Sequence, residues 1–237
     1  MNGKILFVTG TDTDVGKTVL SLLIMRLLAG QDAVYLKPVQ TGCLRAEPDS
    51  DAAFVHRHLP AGLPLGMTPA DCIHSIRPLP KAPLFAGAPV DFDALLRFVT
   101  GHAARHELTV VEGAGGLLVP ITERKTMLDL AVEADASVLV AGRAGLGAIN
   151  HALLTLEALR ARNARCLGVI LIDPANAVPE LDRTENSAAI RRHSGLPVHG
   201  VIGRVENLLN PHSQALSAVQ KALAALGFRP APAVSSS

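Results

Sequence analysis

The chain has 237 residues, with 22 basic and 21 acidic side chains giving a net charge of +1, and 49% of it is apolar although only 3% is aromatic. A near-neutral surface offers no continuous cation track for duplex nucleic acid, and six Phe, one Tyr and no Trp build no stacking platform for single strands. The apolar fraction excludes a disordered chain, and the length predicts one core-bearing domain over residues 1–228 with a frayed tail at 229–237.

The chain starts at once on the apolar run Ile5-Leu6-Phe7-Val8, with no charged segment and cleavage pattern of a secretory leader. Residues 10–18 then read Gly-Thr-Asp-Thr-Asp-Val-Gly-Lys-Thr. From Gly16 onward Val19, Leu22, Leu23, Arg26 and Leu27 recur at helical spacing, and Gly30 supplies a stop. A loop between strand and helix that carries Gly-Lys-Thr has the shape of a phosphate loop, whose standard pattern is Gly, four residues, then Gly-Lys-Ser/Thr. Here Thr11 stands at the first position and Gly10 one residue earlier, so the match is a variant. The N–H groups of Asp14, Val15, Gly16, Lys17 and Thr18, with Val19 beside them, are expected to converge on phosphate oxygens at the helix N-terminus. Lys17 would reach the β- and γ-phosphates and the Thr18 hydroxyl would hold Mg²⁺. Asp12 and Asp14 read either as groups that orient hydroxyls, metal-bound water or amines, or as solvated turn residues.

Residues 33–36 predict the next strand, closed by Lys37, which reads as a cation beside a transferring phosphate or as an exposed strand end. The proline-rich stretch 38–89 shows no clear period and predicts a functional segment or short helices. Asp51, within Asp-Ser-Asp-Ala, reads by itself as part of a helix cap. A helix over 92–106 leads into a strand over 108–111 that ends at Glu112, just before Gly-Ala-Gly-Gly. Small residues there let main chain approach a ligand. Glu112 is either an acidic ligand for Mg²⁺, which needs only one or two carboxylates, or a strand-end charge. Strands over 137–140, 166–172 and 198–202 and helices over 147–162 and 213–226 complete the pattern. Apolar strands separated by helices predict an α/β fold, a mostly parallel sheet with helices on both faces, with ligands beyond the carboxyl ends of the strands. The apolar stretches 19–29 and 136–159 are interrupted by Arg26 and by Arg143, Asn150 and Glu157, so no membrane span is predicted. Cys43, Cys72 and Cys166 have no paired spacing, and a reduced cytoplasmic location is expected.

Five strings occur in a fixed order: the phosphate loop, Leu-Lys-Pro-Val-Gln-Thr-Gly at 36–42, Ser-Asp-Ala at 50–52, Val-Glu-Gly-Ala-Gly-Gly at 111–116 and Gly-Leu-Gly-Ala-Ile-Asn-His at 145–151. Together they resemble the dethiobiotin synthetase family of phosphate-loop enzymes, over residues 5–169, loosely between 54 and 105. The resemblance implies conversion of 7,8-diaminopelargonate, CO2 and ATP into dethiobiotin with Mg²⁺, through a carbamate and a carbamic–phosphoric anhydride. It implies that Lys17 and Lys37 neutralise phosphate and carbamate, and that Thr11 and Thr41 lie near diamine and carbamate. It places Mg²⁺ on Thr18, Asp51 and Glu112, and the nucleotide along residues 14–19, Glu112 and Gly115. It further implies a homodimer with shared sites, in which Gly147, Ala148, Ile149 and Asn150 of one subunit receive the substrate carboxylate of the other. Where the family's strand ends in an adenine-reading Asn, this chain has Ile172-Asp173-Pro174, and Gly stands at 200 and 203 where Pro is common. Asp173 or Asn176 is then expected to supply the base contact, or other nucleoside triphosphates are accepted. Two rivals share the architecture: a nucleotide-switch ATPase of the partitioning or nitrogenase-iron-protein type, and a related amidating synthetase. The first lacks support in Thr11-Asp12-Thr13, where an extra lysine is usual.

Overall fold

The computed structural model describes residues 3–228, so the expected tail at 229–237 lies outside the described residues. In chain order the elements are β1 (Lys4–Gly10), α1 (Lys17–Leu27), β2 (Ala33–Leu36), β3 (Val39–Thr41), α2 (Asp51–His58), β4 (Ser75–Arg77), α3 (Phe92–Ala103), β5 (Leu108–Gly116), α4 (Met127–Glu133), β6 (Ser137–Arg143), α5 (Ala148–Ala161), β7 (Cys166–Ile172), α6 (Glu180–Ser194), β8 (Val198–Ile202) and α7 (Ser213–Ala225). Six strands form one sheet in the order β2-β5-β1-β6-β7-β8, and each neighbouring pair in it is parallel. β3 and β4 pair separately, also in parallel.

Two cores sandwich the sheet, and alternation along each strand feeds both. Leu6, Val8, Val110, Leu139, Ile170 and Ile172 face one core with α1, α2 and α7. Ile5, Phe7, Val111, Val138, Val140, Val169 and Leu171 face the other with α3, α4 and α5. A strand apolar on both faces is buried on both faces, which is why no polar alternation marks these segments.

The strands at 33–36, 166–172 and 198–202 fall where the sequence pattern places them. Others differ. β5 runs through Glu112 to Gly116, so Glu112 is a strand-interior residue, 1% exposed, and not a strand end. The irregular stretch 38–89 holds α2, β3, β4 and three short 3-10 turns. Helices α4 and α6 have no counterpart in the sequence reading. α6 is nearly all polar and buries only Ile190 and Ser194, so its apolar stripe is too thin to detect. α4 spans seven residues, although its capping box of Thr126 and Asp129 is a local signal.

Candidate active site

β1, β2 and β5 end on one side of the sheet, and the loops after them, with residues 80–83, enclose a cleft of about 660 Å³. The loop after β1 forms its floor. Gly16 caps α1 in a left-handed conformation (φ 93°) and no side chain caps the helix. Within the described residues, no acceptor takes the N–H groups of residues 14–19, so the positive end of the helix is free for an anion. Gly10 is required by close packing: a Cβ there would lie 2.6 Å from the Asp12 carbonyl oxygen and 2.8 Å from Val15 Cγ2. Lys17 folds back over the loop, its Nζ 3.3 Å from the Asp12 carbonyl.

The opposite wall is a charge cluster. Lys37 Nζ lies 2.7 Å from Asp51 Oδ2, 2.9 Å from Glu112 Oε1 and 3.1 Å from the Gly113 carbonyl oxygen. Thr18 donates its hydroxyl to Glu112 Oε1 at 2.8 Å, and Tyr35 donates to Glu112 Oε2 at 2.9 Å. The pairing of β1 with β5 shifts register between Val8↔Glu112 and Gly10↔Gly116, so residues 113–115 bulge out of the ladder. Gly115 there has φ 71°, a conformation that a side chain would strain. On the other flank, Ser50 caps α2 by accepting from the Ala53 N–H, which leaves Asp51, the first helical residue, to face Lys37. Gln40 fixes that turn: its Oε1 accepts from the Asp51 N–H at 3.0 Å and its Nε2 donates to the Thr41 carbonyl.

These contacts set the charge states. Burial pushes Lys37 down, but Glu112 and Asp51 outweigh it and hold the ammonium up at about 12. Burial alone would raise Asp51; the neighbouring Lys37 reverses that and holds the carboxyl below its ordinary value. For Lys17 burial dominates, with Lys37 adding to it, and the ammonium sits below its ordinary 10.5. Burial, then Glu112, pushes the Tyr35 phenol well above 10, so it stays a donor. The cleft thus presents two buried cations, the buried carboxylate of Glu112 and the half-buried one of Asp51.

Of the residues singled out by sequence, the cleft brings together Asp14, Gly16, Lys17, Thr18, Val19, Lys37, Thr41, Asp51, Glu112 and Gly115. Val15 lies buried beneath the loop. Thr11 lies outside the cleft lining, its N–H on the Ala141 carbonyl and its side chain against Gly142. Gly147, the left-handed cap of α5, and Ala148, Ile149 and Asn150 after it are likewise not in this chain's cleft. Tyr35 and Gln40 went unmarked in the sequence, because the one reaches from β2 to Glu112 of β5 and the other from β3 to the start of α2, and neither contact leaves a local pattern.

A second, smaller pocket of about 180 Å³ adjoins the loop, lined by Val19, Leu20, Ile172, Ile202, Val205 and Leu208 among others. Asp173 does not serve it. Its carboxylate accepts from the N–H groups of Ala177 and Val178 at 3.1 and 2.9 Å and pairs with Arg183 at 2.6 Å. Burial, opposed and outweighed by those donors, leaves it below the ordinary carboxylate value. The expectation that Asp173 reads a base is therefore corrected: it closes the turn after β7. Asn176 is engaged as well, its Oδ1 accepting from the Arg204 N–H, and that oxygen fills the space a Cβ on Gly203 would need.

Residues 4–212 match a family model described as an AAA domain. An Anaeromyxobacter protein named ATP-dependent dethiobiotin synthetase BioD is 45% identical over 196 residues, covering 80% of this chain and 85% of that one. A protein of the same name from Saccharopolyspora erythraea is 40% identical over 205 residues, covering 84% and 87%. Among solved structures, the MinD cell division protein of Aquifex aeolicus matches with a TM-score of 0.57 at 13% identity, covering 95% of this chain and 98% of that one. A ParA family ATPase from Chlorobium tepidum matches at 0.53 and 13%, covering 94% and 92%. At such identity the likeness is one of fold alone, and the switch-ATPase reading has nothing else behind it.

Proposed function

This chain belongs to the ATP-dependent dethiobiotin synthetase family, and we propose that it converts 7,8-diaminopelargonate, CO2 and ATP into dethiobiotin, ADP and phosphate in biotin biosynthesis. The observation that carries this reading is the pair of buried lysines, Lys17 and Lys37, opening on one cleft beside an uncapped helix N-terminus. Two anions must meet here, a carbamate formed on one substrate amine and the terminal phosphate of the nucleotide. In water they repel. In a cleft of low dielectric, fixed cations and main-chain donors offset that repulsion without reorganising, which is most of what phosphoryl transfer requires of a protein.

In the proposed sequence a carbamate oxygen attacks the γ-phosphorus and the bond to ADP breaks. The second amine then attacks the carbamate carbon, loses a proton, and expels phosphate as the cyclic urea closes. Lys17 binds the β- and γ-phosphates, while Lys37 and Thr41 hold the carbamate end. Holding both amines beside the phosphate makes ring closure intramolecular. Thr18, Asp51 and Glu112 would hold Mg²⁺. They fit it: their hard oxygens converge, as the ammonium lodged between Asp51 Oδ2 and Glu112 Oε1 shows. Among the described residues no group of three or more His, Cys, Asp or Glu could hold a metal, and Mg²⁺ would need only one or two carboxylates. When bound, such an ion would supply neutralisation of the phosphate charge.

The residues at 147–150, which do not line their own chain's cleft, fit a homodimer in which the partner's α5 N-terminus receives the substrate carboxylate. The side pocket, aliphatic but for Arg204, supports weak discrimination of the base, with ATP the ordinary donor and other ribonucleoside triphosphates accepted. The test is incubation of the protein with diaminopelargonate, bicarbonate, Mg²⁺ and each of the four ribonucleoside triphosphates in turn. Dethiobiotin is expected with ATP and, at comparable rates, with at least one other. Absence of product with all four overturns the function; product with ATP alone overturns only the weak discrimination.

A further inference from the structure

The chain's one tyrosine lies directly beneath the cleft, and there is no tryptophan. Tyr35 sits in β2, pairs with Val110 of β5 and is fully buried. Glu112 is two residues beyond Val110, so it projects from the same face of the sheet. The two carboxylate oxygens of Glu112 have different neighbours. Oε2 accepts the Tyr35 hydroxyl at 2.9 Å, while Oε1 accepts from Thr18 at 2.8 Å and from Lys37 at 2.9 Å. At 1% exposure, Glu112 has almost no contact with solvent, and Tyr35 is the side chain that holds Oε2.

We propose that Tyr35 is a positioning residue for Glu112, holding Oε2 under the sheet so that Oε1 alone faces the cation in the cleft. The inference rests on the reading of Glu112 as a Mg²⁺ ligand given above. A carboxylate free to turn offers both oxygens to a metal, an arrangement that Ca²⁺ accepts readily. Mg²⁺ demands near-octahedral geometry at short range and is served better by a single fixed oxygen. Tyr35 therefore sets both the affinity of the site for Mg²⁺ and its preference over Ca²⁺. A hydroxyl on a packed ring, with two side-chain torsions, holds this arrangement more firmly than a long flexible donor.

The lone tyrosine also makes the test direct, since with no tryptophan present excitation beyond the phenylalanine band draws emission from Tyr35 alone. Mg²⁺ and Ca²⁺ are titrated separately into the protein with inorganic tripolyphosphate, followed by tyrosine emission and by calorimetry. Wild-type emission is expected to change with the same half-saturation as the heat. Tyr35→Phe, which keeps the ring, is expected to raise the Mg²⁺ half-saturation about tenfold. It should raise that for Ca²⁺ less, and leave the affinity for metal-free tripolyphosphate unchanged. A Mg²⁺ half-saturation within about twofold of wild type, with unaltered preference over Ca²⁺, overturns the proposal. So does emission that ignores a metal the calorimeter sees bind, a readout that needs no variant to fold. Glu112→Ala separates the two levels. If it binds Mg²⁺ as the wild type does, Glu112 is no ligand and both readings fail; if it loses Mg²⁺ while Tyr35→Phe does not, only the role of Tyr35 falls.

Discussion

Lys37 carries the strongest single claim at the scale of the residue. It is a buried ammonium that stays protonated because Asp51 and Glu112 flank it at 2.7 and 2.9 Å. Lys37→Ala should lower turnover by about 10²- to 10³-fold, the range typical of removing a preorganised charge-stabilising group. Circular dichroism should show the fold retained; a near wild-type rate in a folded variant would take Lys37 out of the mechanism. The lysine and the phosphate-loop residues were legible in the sequence, because each stands next to a strand end or helix start that local pattern marks; Glu112 was legible by the small residues that follow it, although β5 runs on past it. Asp51 by itself was not, since helix caps and metal ligands draw on the same residue types. The structure separates the two tasks, giving the cap to Ser50 and the cleft to Asp51. Tyr35 and Asp173 show the converse limit. Tyr35 reads as an ordinary strand residue until the fold brings Glu112 to its hydroxyl, and Asp173 reads as a ligand at a strand end until the geometry of the following turn gives its carboxylate to Ala177, Val178 and Arg183.

The loop between β1 and α1 is the element on which the site depends most closely. Its path brings the Asp12 carbonyl and the Val15 side chain against Gly10 so closely that any Cβ there collides with main chain. Gly10→Ala should reopen the loop and weaken tripolyphosphate binding at least tenfold, while the sheet behind it keeps its stability, since the buried aliphatic strands are untouched. Binding calorimetry alongside urea unfolding would check both, and unchanged affinity would mean that the loop tolerates an alternative path. Elements with a clear apolar period, such as α1 and β7, could be placed from sequence to within a residue or two. Polar α6, short α4 and the inserted segment 38–89 could not, because their stability comes from packing against the rest of the chain and not from their own periodicity.

Taken as a whole molecule, the protein should lose stability as the pH falls below about 6.5. Burial, with Arg105 and His106 nearby, lowers His102 from 6.5, and burial, opposed by a hydrogen bond to the Leu167 carbonyl, lowers His199. Folded-state values below the unfolded 6.5 mean that the unfolded chain takes up more protons first, so the stabilisation is complete above 6.5 and lost as the pH falls through the folded values. Asp51 and Asp173, held below 3.8, add a second loss at more acid pH. On the alkaline side Lys37 acts oppositely, its contribution lost as the pH rises through about 12. Urea midpoints should therefore fall from pH 7 towards acid, and His199→Gln, whose amide can still donate to Leu167, should flatten that fall. A midpoint constant across the window would remove the histidines from the account.

At this scale the sequence determined the architecture. Aliphatic strands, apolar on both faces, can be buried only between two helical layers, and a Gly-Lys-Thr turn between strand and helix marks the ligand end of the sheet. Its motifs also determined the family, which relatives 40–45% identical bear out. Only the tertiary structure decided which polar groups meet. Residues 35 and 37, residue 51 and residue 112 come from three separate stretches of chain, and their charges and hydrogen bonds act over about 3 Å, a range that only the sheet's strand order and the packing of α2 bring within reach.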